Sequence, residues 1–278
     1  MATGRRLKTL DDFNRSLKNK YGVGVGTEYK PWLRIQDVAS RGIRSQIWGR
    51  KTNRVHHLLS SIESQFFYLA EFSDSVTDIR EQFPLLPITL SNKIAVTLGV
   101  EHPKVPVNGE LNIMTTDFLL TCQKDGRKFY HAVSVKPENG IDQRTAEKLD
   151  IERVWWELLG VKYSCFMGNE LTKIQSDNIR WATAPFRSGM TVYDSSIVQR
   201  VLTAVEPGKY LLSDLCKDLT LMCDREREDG LNLLRYLIAD KFSAIIDTIE
   251  FGSDKNFLSN INEILKGKTL DYLIINHM

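Results

Sequence analysis

Asp117, Ser134 and Lys136 are the residues whose types and spacing point to chemistry. They lie in MTTDFLLTCQKDGRKFYHAVSVKP, residues 114–137. Asp125-Gly126 sits between runs rich in Thr, Phe, Leu, Val and Tyr, the signature of a two-residue hairpin loop. With that loop Lys124 faces Arg127, and counting back along both strands sets Asp117 opposite Ser134. Lys136 is two residues on from Ser134 and falls on the same side. One face then gathers Asp117, Ser134 and Lys136, while Phe118, Leu120, Val133 and Val135 suit a core. Alone, an acid beside a lysine on a sheet is an ordinary cross-strand ion pair.

Two further acids change that reading. The apolar residues Val55, Leu58, Leu59, Ile62, Phe66 and Leu69 recur at helical spacing and predict one helix over 55–72. Glu63 falls beside that inward stripe, where a lone buried carboxylate needs a partner, a proton or a metal. Leu149, Trp156 and Leu159 predict a second helix over 144–159, with Glu152 in its apolar stripe. Carboxylates from a strand and from helices, with the Val135 backbone carbonyl, make an all-oxygen site. Such a site suits a hard divalent ion such as Mg2+, with Mn2+ as substitute, one or two ions per site and two expected. Lys136 would orient water or stabilise developing charge. Together this is phosphodiester hydrolysis chemistry, with Glu63, Asp117 and Lys136 as candidate catalytic residues. Glu63, Asp117 and Val135 are candidate ligands, with Ser134 and Glu152 as further candidates.

The elements that must position these groups read as follows. Residues 5–20 form a short basic helix, and YGVGVGT (21–27) a flexible connector. The latter lacks the Gly-Lys-Ser/Thr ending of a phosphate loop. Ser75–Pro84 is a strand. Residues 88–112 hold a short helix and a Pro-rich loop. After the hairpin and the second helix come a strand at 161–167 and a helix at 170–185. This is a mixed α/β unit with helices covering a sheet. PFRSGM (185–190) marks a boundary. Beyond it, helices over 192–205, 210–223 and 229–241 precede a strand at 242–250 that pairs with 269–276. That order describes a smaller, helix-rich, winged-helix-like module. Its third helix carries only Arg235 and Lys241 as basic residues, which favours protein docking over DNA reading. The expected division is 1–54 (basic arm), 55–185 (catalytic domain) and 186–278 (partner-docking domain).

The chain has 278 residues, is 42% hydrophobic and 26% charged, and has a net charge of +2, a globular composition. The charge is uneven: residues 1–54 hold 13 Lys/Arg against 4 Asp/Glu, and the remainder 24 against 31. A basic segment before an acidic body is a nucleic-acid pattern. Arg34, Arg41, Arg44, Arg50, Lys51 and Arg54 are interleaved with Trp32 and Trp48 and are candidates to track a DNA backbone. No apolar run approaches a membrane span, the N-terminal residues have no secretory core, and the four cysteines lack zinc spacing. A cytoplasmic setting is expected.

The spacing of Asp117 and Ser134-Val135-Lys136 is similar to the D…(D/E)-x-K arrangement of restriction-endonuclease-like nucleases, with Ser134 where a carboxylate is usual. The chain more specifically resembles TnsA, the endonuclease subunit of heteromeric transposases. The resemblance is carried by YKPWL (29–33), GRKTNRVHHLLSSIE (49–63), DIREQFPLLP (78–87), MTTDFLL (114–120), VKP (135–137) and RTAEKLDIERVWW (144–156). It implies a restriction-endonuclease-like fold and magnesium-dependent cutting of the transposon 5′ ends. It also implies a TnsB-type transposase acting on the 3′ ends and a TnsC-type ATPase that regulates both and contacts the C-terminal region. The family's acidic pair falls on Glu63 and Asp117, its lysine on Lys136, its glutamine on Ser134, and a further glutamate on Glu152. A nuclease-like module without activity, carrying DNA ends to a partner, is the alternative. An RNA-processing nuclease would share the chemistry.

Overall fold

The computed structural model describes residues 4–38, 42–187, 193–206, 208–223, 229–240 and 249–251. Its contacts divide the chain into two units: residues 1–67 with 74–169, and residues 68–73 with 170–278. The division falls at Asn169/Glu170 rather than at Pro185.

The first unit is built on a four-stranded mixed sheet of β3 (Val76–Pro84), β4 (Thr115–Lys124), β5 (Arg127–Pro137) and β6 (Lys162–Gly168), in that order. Neighbours are antiparallel until β5 and β6, which run parallel and are joined through α4 (Gln143–Leu158). The β4–β5 turn is the one expected: Lys124 pairs with Arg127 and Phe118 with Val133. Asp125 (φ 50°) and Gly126 (φ 75°) both adopt the left-handed backbone that a type I′ turn requires.

Adjacent residues on a strand point to opposite faces, and both faces are covered. Phe118 meets Phe66 of α2 (Ser61–Phe72) at 5.0 Å between ring centroids, and Phe66 meets Phe166 at 5.1 Å. Leu119 and Ala132 pack with Ile151, Trp155 and Trp156 of α4 and with Ile94 and Ala95 of α3 (Ile88–Leu98).

The predicted helix over 55–72 is corrected. Residues 54–58 form strand β2 (Arg54–Leu58), paired with β1 (Ser45–Gly49), and helix begins only at Ser61. Val55 and Leu58 fit a helical stripe, but burial in β2 alternates from Arg54 to His56 to Leu58. The polar members of that face bond to β3. Glu81 accepts Arg54 through both oxygens (2.8 and 2.6 Å) and His56 Nδ1 (2.8 Å). Burial alone would raise the Glu81 pKa, but His56 and Arg54 hold the acid well below its usual range.

The basic N-terminal segment is part of this unit, not a separate arm. Thr9 caps α1 (Leu10–Lys18), and Phe13 and Trp32 pack with Val105 and Ile113. The glycine-rich stretch is a fitted turn rather than a loose connector. Gly26 N–H donates to Asp78 Oδ1 at 3.2 Å, and a Cβ on Gly22 would lie 2.4 Å from Pro84.

The second unit contains α5 (Glu170–Arg187), α6 (Ser195–Ala204), α7 (Leu212–Met222) and α8 (Asp229–Ala239) around Val198, Val201, Leu215, Leu219, Leu233, Leu234 and Leu237. Arg235 of α8 stacks over Trp181 of α5, 4.7 Å from the ring centroid. Two short strands, β7 (Gly208–Tyr210) and β8 (Ile249–Phe251), pair in parallel. The expected partner at 269–276 lies outside the described residues.

Candidate active site

The site sits where the β4–β5 ladder ends. The last backbone pair is Phe118–Val133, so the next N–H on β5 needs another acceptor. Asp117 supplies it: its Oδ2 accepts the Val135 N–H at 2.7 Å. The same oxygen accepts Lys136 Nζ at 2.9 Å, and Nζ also donates to the Val135 carbonyl at 3.0 Å. Burial pulls the lysine pKa down, but the charge and hydrogen bond of Asp117 outweigh it and the net shift is upward. Lys136 therefore stays an ammonium at neutral pH. Asp117 and Lys136 meet as expected, through the carboxylate rather than through strand pairing at Asp117.

Glu63 arrives from the first turn of α2, and local sequence holds it there. Ser60 and Glu63 form a capping box, with the spacing S-x-x-E. Glu63 N–H donates to Ser60 Oγ (3.1 Å), Ser60 Oγ donates to Glu63 Oε1 (3.0 Å), and Leu59 N–H donates to Oε2 (2.9 Å). That spacing was legible in the sequence, but the helix was expected to start too early for it to be read as a cap. Burial first, and then the charge of Asp117, push the Glu63 pKa up to about 7.

Gln82 of β3 stands between these acids. Its Nε2 is 3.4 Å from Glu63 Oε2 and 3.4 Å from Asp117 Oδ1, so those two oxygens lie no more than twice that distance apart. Thr115 Oγ1 donates to Gln82 Oε1 at 2.9 Å. Sequence reading missed Gln82. It lies on the predicted strand, and no local signal marks its left-handed backbone.

Ser134 and Glu152 are placed differently from Asp117 and Glu63: they bond to each other. Ser134 Oγ donates to Glu152 Oε2 at 2.5 Å, Thr116 Oγ1 donates to the same oxygen at 3.2 Å, and Trp156 Nε1 donates to Thr116 Oγ1 at 2.7 Å. Burial, followed by the charge of Asp117, pushes the Glu152 pKa up to about 8. At neutral pH it is a buried carboxylic acid wedged under the site.

Among the described residues no three Asp, Glu, His or Cys side chains converge as a ready metal cluster. What the site offers is two carboxylates and a backbone carbonyl. A stand-in cation shows that one carboxylate and the carbonyl converge: the Lys136 ammonium is held by Asp117 Oδ2 and the Val135 oxygen, with Glu63 beyond Gln82. An all-oxygen donor set fits a hard divalent ion. Glu63, Asp117 and Val135 are the residues that would hold it.

The basic candidates are mostly committed to structure. Arg54 is buried against Glu81, so the expectation that it meets DNA is corrected. Arg34 pairs with Asp37 at 3.1 Å, and Arg44 Nη1 donates to the carbonyls of Ile35 (2.6 Å) and Val38 (2.7 Å). Lys51 Nζ donates to the Val76 carbonyl. Arg44 and Arg50 are exposed; Arg41 lies outside the described residues.

A mixed sheet covered by helices, with paired carboxylates and a lysine at a broken strand ladder, defines a nuclease-type α/β unit. Residues 73–167 match the family model described as TnsA-like endonuclease, N-terminal. Over 274 residues the chain is 34% identical to the transposon Tn7 transposition protein TnsA of Escherichia coli, covering 93% of this chain and 94% of that protein. The chain belongs to the TnsA family of transposition endonucleases.

Proposed function

We propose that this chain is a magnesium-dependent DNA endonuclease that hydrolyses the phosphodiesters at the 5′ ends of a transposon, as one subunit of a cut-and-paste transposase. The observation that carries this reading is the convergence of Asp117 Oδ2 and the Val135 carbonyl on one cation position, with Glu63 close by. Magnesium, or manganese in its place, supplies Lewis acidity and charge neutralisation toward a phosphodiester when bound.

The protein groups do the rest. Asp117 is fixed by the Val135 N–H and Glu63 by its capping box, so both carboxylates are oriented before substrate arrives. Lys136, permanently charged, neutralises charge that develops on the phosphate oxygens. The short Ser134–Glu152 bond holds β5 against α4 and so fixes the Val135 carbonyl. In this reading double-stranded transposon ends are the substrate, a TnsB-type transposase processes the 3′ ends, and a TnsC-type ATPase docks on the C-terminal unit.

The test is reconstitution with transposase partners, donor DNA and magnesium, comparing wild type with Asp117→Ala. The expected result is loss of 5′ cleavage by at least about a hundredfold, with 3′ joining retained. If both proteins make the same 5′ cuts, the catalytic assignment is wrong, and the chain is a nuclease-fold binding module. An RNA duplex in the same assay tests substrate class, with no cleavage expected.

A further inference from the structure

Gln82 is the one site residue whose backbone is out of character. Its φ is 50°, a left-handed conformation inside a strand, where an L residue with a side chain is disfavoured. Pairing continues on both sides, with Glu81 opposite Phe118 and Phe83 opposite Thr116, so the conformation does not end the strand. The backbone there is also held from outside, since the Gln82 carbonyl accepts the Trp32 N–H at 3.2 Å. Glycine would fit such a position without strain. The side chain nevertheless present is only 2% exposed and points its carboxamide at Glu63 and Asp117.

Those two contacts, each 3.4 Å, are too long to repay backbone strain as structural struts. The firm contact is on the other end of the amide, with Thr115 at 2.9 Å. A hydroxyl both donates and accepts. Turning the carboxamide by half a revolution would keep the Thr115 bond, now with Nε2 as donor, and would aim Oε1 between the two carboxylates. Among the described residues the site supplies two carboxylate side chains, and this amide lies between them.

We propose that Gln82 is the third side chain of the cation site: the carboxamide turns about its Thr115 contact and gives Oε1 to the ion held by Glu63 and Asp117. Without the ion its N–H group lies between the acids and reduces their mutual repulsion. This rests on the metal-dependent reading above.

The experiment is direct Mn2+ binding to the full chain, followed by electron paramagnetic resonance of free Mn2+, with melting temperature recorded for each protein. Gln82→Gly removes the amide and the backbone strain together, and should bind Mn2+ on the order of tenfold more weakly without a matching fall in melting temperature. Gln82→Glu keeps an oxygen ligand and should bind at least as tightly as wild type. Wild-type affinity in Gln82→Gly overturns the proposal, because the residue is then only structural. Weakened binding in Gln82→Glu also overturns it, because the amide then serves only as a donor. Asp117→Ala separates the two levels. If it binds Mn2+ like wild type, the metal site of the proposed function falls, and Gln82 with it. If only Gln82→Gly does so, the site stands and the Gln82 assignment alone fails.

Discussion

Glu152 is fully buried behind the site, and its surroundings favour the proton over the charge. Burial and the charge of Asp117 raise its pKa to about 8, while Ser134 and Thr116 oppose the rise only in part. A carboxyl group with a higher pKa in the folded chain than in the unfolded one binds its proton more tightly when folded. Its contribution to stability is then full below about pH 4.5 and lost as pH climbs through about 8. Glu152→Gln, which cannot ionise, should flatten that loss. Urea unfolding of both proteins at pH 6 and pH 9, followed by tryptophan fluorescence, reads the difference. Equal pH dependence in the two would show that Glu152 is ionised in the native state. Its place in an apolar stripe was legible in the sequence. That Ser134 is the partner was not, because the contact joins a strand and a helix through residues 18 apart in the chain.

At the scale of the element, α2 shows how one residue can carry two duties. Glu63 closes the capping box of its helix and also shares the Gln82 amide with Asp117. Glutamine serves at that capping position as well as glutamate, so the duties can be separated. Glu63→Gln should melt near the wild-type temperature and lose 5′ cleavage. Glu63→Ala should lose cleavage and also about 1 kcal/mol of stability. Thermal unfolding beside the reconstituted cleavage assay checks both, and retained cleavage in Glu63→Gln would remove Glu63 from the chemistry. The two hairpins differ in how far sequence revealed them. Asp125-Gly126 encodes its turn locally, and the pairing followed from it. The β1–β2 hairpin carries no such dipeptide, and its buried Arg54 and His56 make sense only once Glu81, 27 and 25 residues away, is in place. Gln82 belongs with the second kind: a strained backbone imposed by tertiary contacts leaves no trace in residue type.

On the scale of the whole molecule, charge asymmetry pointed to nucleic acid, yet much of it is spent inside the first unit. Arg5 and Arg34 converge on Asp37, whose pKa falls to about 2 because their hydrogen bonds outweigh the effect of burial. The exposed positive charge includes Arg6, ahead of α1, and Arg15 on α1, as well as Arg44 and Arg50. Neutralising Arg44 and Arg50 together with Lys51 should weaken DNA association and shallow its logarithmic dependence on salt by up to about one unit per lost phosphate contact. Fluorescence anisotropy over a salt series measures the slope, and an unchanged slope would place the phosphate contacts elsewhere on the unit. Among the described residues no helix is long and apolar enough to cross a membrane. From Ser61 onward the order of strands and helices in the first unit followed from periodicity and turn residues, whereas β1 and β2 did not. The division between units did not, because α5 runs through Pro185 without interruption.

The ammonium of Lys136 has one more consequence. Resting between Asp117 Oδ2 and the Val135 oxygen, it serves as an internal counterion, so the two oxygens need no outside charge to stay together. Under the proposed metal-dependent reading, a divalent ion held by these oxygens would exchange with a tethered positive charge rather than add to one. Loading the ion and freeing the lysine would then be a single event, and the chain could fold and be stored without its ion while its acid stays in register.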